Sequence, residues 1–98
     1  NTVSDSSVKV VHNPDRQRYE LDDNGSVIGY ADYHPADDTQ LVFDHTVVDD
    51  AYSGQGLAGK LVRFALDDVR ERGKRVVPVC PFVDSFIDKH PEYQDLVA

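Results

Sequence analysis

The stretch Asp49-Asp50-Ala51-Tyr52-Ser53-Gly54-Gln55-Gly56-Leu57-Ala58-Gly59-Lys60-Leu61 decides how this chain is read. From Gly54 to Lys60 it satisfies two phosphate-binding spacings at once. One is G-x-G-x-x-G, the dinucleotide fingerprint; the other is G-x-x-x-x-G-K, most of a P-loop. Any glycine loop that opens a helix gathers backbone N–H groups and the positive helix end at one point, which suits phosphate. A P-loop also needs Ser or Thr after the lysine to hold magnesium, and here that residue is Leu61. A dinucleotide fold needs a βαβ unit with an acid at the end of its second strand. The strand-like run after this loop ends in Val79-Cys80-Pro81, with no acid. Neither pattern fits its surroundings.

Those surroundings are strands before the loop and a helix after it. VKVVH (8–12) is a β-branched run closed by Asn13-Pro14-Asp15, and RYEL (18–21) follows. Asn24-Gly25 between strand-like runs predicts a type I′ hairpin, whose two central residues both take positive φ. SVIGYADYH (26–34) reads as a third strand with Gly29 as a candidate bulge, and QLVFDHTVV (40–48) as a fourth. Short turns between four strands predict an antiparallel meander. From Leu57 the apolar positions 57/58, 61/62, 65/66 and 69 change to a helical period, and Gly73 is placed to end that helix. RVVPVC (75–80) predicts a fifth strand, at an edge or diverging from its neighbour because Pro78 cannot donate to a ladder. FVDSFIDKH (82–90) predicts a short helix stopped by Pro91.

Composition bounds the function. A chain of 98 residues, 40% apolar and 29% charged, predicts one water-soluble domain spanning residues 1–98. No apolar run reaches the roughly 18 residues of a membrane span, and NTVSDSSVKV lacks the basic-then-apolar arrangement of a leader. A single cysteine rules out an internal disulfide framework and makes a cytoplasmic location the expectation. The four histidines have no helical metal-ligand spacing, so no metal is expected. Net charge −8 argues against DNA or RNA as a partner. It suits a cationic substrate such as an amine, or serves solubility alone.

Val48-Asp49-Asp50-Ala51-Tyr52-Ser53-Gly54-Gln55-Gly56-Leu57-Ala58 resembles motif A of the GNAT superfamily of N-acetyltransferases, V-x-P-x-Y-[RQ]-G-x-G-[ILV]-[GA]. Val48, Tyr52, Gly54, Gly56, Leu57 and Ala58 match it; Asp50 stands in place of Pro and Ser53 in place of Arg or Gln. The likeness runs through most of residues 8 to 96 and is to a small branch of that family. Members of this branch carry His-Thr on the fourth strand (His45-Thr46). They also end the fifth strand in Cys with an aromatic two residues on (Cys80, Phe82), and close with His-Pro-x-aromatic (His90 to Tyr93). The resemblance implies an α/β fold of α+β type: a mostly antiparallel sheet with strands four and five splayed, one long helix and a short C-terminal helix. It implies an enzyme that moves the acetyl group of acetyl-coenzyme A to an amine, without metal. The cofactor-binding positions it implies are Val47, Val48, Gly54, Gln55, Gly56, Leu57, Ala58, Gly59 and Lys60, with backbone N–H groups cradling the pyrophosphate. The acceptor is a small amine or a peptide or protein lysine, on a monomer with no membrane partner.

Two residues carry candidate chemistry. His45 has the chemistry of a base that takes the amine's proton. Strict alternation puts it on the face of Leu41, Phe43 and Val47, so a buried structural histidine is the other reading. Cys80 is placed to accept the acetyl group, to give a proton to the leaving thiolate, or to fill space. Lys60 neutralises a phosphate or lies on a solvated helix face. Tyr93 falls late in the chain, beyond Pro91, and the general-acid role of the family's tyrosine is not carried to it. The rival to an enzyme is a non-catalytic acyl-coenzyme A binding module.

Overall fold

The computed structural model describes residues 8–98; the N-terminal segment read above for a leader lies outside them. Strands β1 (Val8–Asn13), β2 (Arg18–Asp23), β3 (Ser26–Pro35) and β4 (Gln40–Val48) form the antiparallel meander. Helix α1 (Leu57–Glu71) crosses over to β5 (Arg75–Pro78), which joins β4 in parallel, and α2 (Pro81–Lys89) and a 3₁₀ segment (Pro91–Leu96) close the chain. The sheet order is β1-β2-β3-β4-β5.

Local chemistry explains the turns. Asn24 and Gly25 have φ of 51° and 93°, as a type I′ hairpin requires. In α1 the buried residues Leu57, Leu61, Val62, Ala65, Leu66 and Val69 form one stripe against the sheet. The helix ends in a Schellman motif: Gly73 takes φ 69°, its N–H bonds Arg70 O at 3.0 Å, and Lys74 N–H bonds Val69 O at 3.1 Å. Tyr19, Leu21, Ala31, Leu41, Phe43 and Val76 supply the sheet side of this core, and Val83, Phe86 and Ile87 bring α2 into it. The opposite face of the sheet carries none of these helices.

Two bulges depart from the simple meander. Leu21 pairs with Gly29 but Asp22 with Val27, so the extra residue in β3 is Ile28, beside Gly29 rather than at it. Gly29 answers to close approach instead: a Cβ there would lie 2.8 Å from Val47 O and 2.9 Å from Leu21 Cδ1. Further along, Tyr33 pairs with Phe43 but Asp32 with His45, which makes Asp44 an extra residue in β4. Beyond it every side chain of β4 changes face.

Strand β5 is shorter than its sequence suggests. Pairing with β4 stops at Phe43–Pro78, and the last link is the Cys80 N–H bond to Phe43 O at 2.8 Å. On its other side, among the described residues, β5 meets an isolated parallel bridge from Val76 to Val97.

Candidate functional site

The loop after β4 is wound before it reaches the glycines. Asp49 caps the short turn Asp50–Tyr52, its Oδ1 accepting from Ala51 N–H at 2.9 Å. Gly54 and Gly56 both take the left-handed conformation, with φ of 78° and 72°. A Cβ at either would meet no atom within 4 Å, so backbone conformation, not crowding, calls for glycine here. Gly56 is the N-cap of α1. It offers no side-chain cap, and the first turn holds no acid. The helix thus brings no anion of its own to its positive end.

These residues surround a pocket of about 290 Å³ lined by Val48, Tyr52, Ser53, three loop and helix glycines, Leu57, Ala58 and Phe82. The small residues open it, and Phe82, 41% exposed, forms its far wall. Tyr52 anchors the loop from below: its hydroxyl donates to Asp23 Oδ2, and that bond, with partial burial, raises its ionisation above the ordinary range.

The strand that ends in the pocket wall at Val48 has parted from β5 before it gets there. Past Phe43 and Pro78, β4 keeps β3 on one side while the other chain turns away into α2. Across this gap Thr46 Oγ1 and Cys80 Sγ meet at 3.4 Å. Cys80 is buried, 5% exposed, and lies two residues before Phe82, as Thr46 lies two before Val48. Thr46 and Val48, alternate residues of β4, thus put one side chain in the gap and one in the pocket wall.

The bulge at Asp44 decides the position of His45. Leu41 and Phe43 face the core, whereas His45 and Val47 are exposed on the open face of the sheet. Alternation alone groups these four residues on one face; the extra residue separates them. Directly opposite His45 stands Asp32, and beside them Asp44 pairs with His34 at 2.7 Å. The sequence offers no sign of Asp32 and marks Thr46 and Phe82 only through the family likeness, because their place at the site arises from register and from contacts distant in the chain.

The remaining expected residues divide. Val48, Gly54, Gly56, Leu57, Ala58 and Gly59 share the glycine-loop pocket. The Val47 side chain lies instead in a separate pocket of about 370 Å³ on the open face, with Arg18, Ile28 and Tyr30. Gln55 is exposed and lies outside the pocket lining. Lys60 turns toward β1, donating from Nζ to Val8 O at 2.6 Å. Tyr93 is buried between α1 and the C-terminal segment, its hydroxyl donating to Asp67 Oδ1 at 2.6 Å and accepting from Arg63 at 3.2 Å. Among the described residues no group of three or more His, Cys, Asp or Glu could hold a metal ion. No described helix is long and apolar enough to cross a membrane.

The arrangement matches known proteins in sequence and in fold. The uncharacterised N-acetyltransferase YhbS of Escherichia coli K12 is 38% identical over 85 aligned positions, covering 76% of this chain and 51% of that protein. The chain thus spans about half the length of that curated relative. The crystal structure of Escherichia coli YhbS in complex with coenzyme A superimposes with a TM-score of 0.56, at 35% identity over 60% of this chain and 37% of that one. The solution structure of a GCN5-like protein from Staphylococcus aureus gives a TM-score of 0.73 over 95% of this chain and 90% of that one, at 24% identity. The GCN5-related N-acetyl-transferase family matches residues 18–96. The chain belongs to the GCN5-related N-acetyltransferases.

Proposed function

We propose that this protein transfers the acetyl group of acetyl-coenzyme A to an amine by direct attack. The observation that carries this reading is the start of α1, with no side-chain cap and no acid in its first turn, beside a pocket walled by Val48 at the end of β4, a strand that has parted from β5 by Phe43. Anions bind at such helix starts because the N–H groups and the dipole act together. The pyrophosphate of the donor belongs at Gly54 to Gly59, and its pantetheine arm between Val48 and Phe82. The structural relative YhbS was solved with coenzyme A, which supports this choice of ligand. Lys60, committed to Val8 O, contributes through its field and not through direct contact.

Donor and acceptor meet from opposite faces. With the thioester in the gap, the amine comes from the open face, past the exposed His45. An alkylammonium must lose a proton before it attacks, and His45 is the group placed to take it. Asp32, opposite His45, sets negative charge beside the incoming cation. The β4 backbone beyond Phe43, which has no strand partner on the β5 side, supplies N–H groups to polarise the thioester carbonyl. The nitrogen then bonds to the carbonyl carbon, the carbon–sulfur bond breaks, and the nitrogen's second proton goes to the departing sulfur beside Cys80, leaving the amide and free coenzyme A. The sheet face around His45 and Val47, exposed among the described residues, accommodates a peptide or protein lysine as readily as a small amine.

The test is coenzyme A release from acetyl-coenzyme A across a panel of amines, polyamines and basic peptides. Turnover with at least one acceptor is expected. His45→Ala should lower kcat at least a hundredfold while leaving donor affinity within about threefold, as general-base catalysis is worth roughly 10²–10⁴. Tight donor binding with no turnover on any acceptor would make the protein a binding module.

A further inference from the structure

The gap in the sheet has a floor. Val48 and Phe82 are walls of the glycine-loop pocket; Thr46 lies two residues before Val48 on the same face of β4, and Cys80, the N-cap of α2, precedes Phe82 of that helix. Along β4 two residues span about 6.5 to 7 Å, so an arm passing the Val48 wall arrives next at Thr46 and at the Cys80 that Thr46 touches. There the passage closes: Thr46 Oγ1 and Cys80 Sγ touch at 3.4 Å. Beneath them the packing is complete, since Cys80 is 5% exposed, Phe43 1% and Val83 0%. The core cluster that holds these residues is continuous with the stripe of α1.

We propose that the Thr46–Cys80 contact is the specificity wall for the acyl donor, admitting a two-carbon acyl group and refusing longer ones. This rests on the donor site proposed above. Each further methylene would have to enter a filled core, where added carbons force side chains off their rotamers or shift the backbone. The wall is made of small side chains, one hydroxyl and one thiol, and either can be shortened without removing a charge. Its position also bears on selectivity against free coenzyme A, because an acetyl methyl group can pack on this pair.

The experiment measures binding of coenzyme A, acetyl-, propionyl- and butyryl-coenzyme A to the whole chain by calorimetry, so that no acceptor is needed. Wild type should bind butyryl-coenzyme A at least about tenfold more weakly than acetyl-coenzyme A, given the cost of overpacking. Cys80→Ala and Thr46→Ala should each narrow that ratio at least threefold, mainly by improving butyryl-coenzyme A. Equal affinity of wild type for the acetyl and butyryl donors overturns the wall, and this arm needs no variant to fold. A ratio unchanged in both folded variants overturns it as well. Absence of binding by all four compounds overturns the donor site itself, an outcome distinct from equal binding.

Discussion

The hydroxyl of Tyr52 donates a 2.5 Å hydrogen bond to Asp23 Oδ2, joining the loop before the glycines to the end of β2. This bond holds the entry to the pocket against the sheet, while the ring packs on the core. Hydrogen bonds to charged groups are stronger than neutral ones, and weaker where water competes. Tyr52→Phe keeps the ring and removes the bond. Coenzyme A affinity should fall roughly five- to tenfold, with a small change in melting temperature. A large loss of stability with unchanged affinity would show that Tyr52 serves the fold and not the loop.

Gly56 and Ser53 test what the loop is made of. Gly56 sits at φ 72°, a conformation that costs an ordinary residue about 1–2 kcal/mol and a β-branched one more. Space for a Cβ exists in the unliganded pocket. Gly56→Val should therefore fold with modestly reduced stability, yet bind coenzyme A at least about tenfold more weakly, because branched atoms fill the room a pyrophosphate needs. Ser53→Ala should change affinity less than about twofold, since the donors belong to the backbone. Equal losses in the two variants would contradict a backbone cradle.

These elements also show where sequence sufficed. The Asn24-Gly25 hairpin, the stripe of α1 and its Gly73 stop depend on neighbours within a few residues, and each appears where local chemistry puts it. The glycine loop was legible for the same reason. His45 was not, because one inserted residue reverses a face and leaves the spacing in the chain unchanged. A trace of that reversal was available: the doublet Val47-Val48 breaks the alternation that Leu41 and Phe43 begin, and Val48 is the one packed on the core. The Thr46–Cys80 contact spans 34 residues, and no local rule reaches it. Pro78 announced the divergence of β5 but not that Cys80 would still donate to Phe43.

At the far end of the sheet, acid should weaken the protein through His12. Its Nδ1 accepts from the Arg72 guanidinium at 3.0 Å, so Nε2 carries the proton and donates to the Tyr33 hydroxyl at 2.6 Å. The ring stacks on Tyr19 at 4.3 Å, and Lys74 lies on the same pocket. Burial foremost, then the Arg72 charge, lowers the His12 ionisation below its ordinary value, against the opposing pull of Asp68 at 3.7 Å. For Asp68 burial pushes upward, but bonds from Tyr19 and Arg72 leave it net low, so it stays charged through the histidine range. Below the ordinary histidine value of about 6.5 the unfolded chain binds a proton that folded His12 resists. Stability should be full above that pH and decline as pH falls toward the lowered folded value. Melting curves from pH 8 to 5 should show this decline, and His12→Phe, which keeps a stacked ring, should flatten it. An unaltered slope in that variant assigns the acid sensitivity elsewhere.

Cys80 decides whether the acetyl group stops on the protein. Direct attack passes through a ternary complex, and no acyl-enzyme forms. If the thiol accepts the group first, kinetics are ping-pong and the protein gains an acetyl mass after incubation with acetyl-coenzyme A alone. The structure favours the direct route in three ways. Among the described residues the hydrogen-bond partner of the Cys80 side chain is the Thr46 hydroxyl, which is no base. The sulfur is buried on the core side of the gap, whereas His45 is exposed on the other face. Its backbone is fixed by the Cys80 N–H bond to Phe43 O, which holds the thiol as part of the wall. Intersecting double-reciprocal plots and an unmodified mass are therefore expected. Cys80→Ala should keep coenzyme A binding and lose roughly tenfold or less in kcat, the scale of a leaving-group partner and not of a nucleophile. Parallel plots with an acetyl group trapped on Cys80, and no turnover in the alanine variant, would establish the covalent route instead.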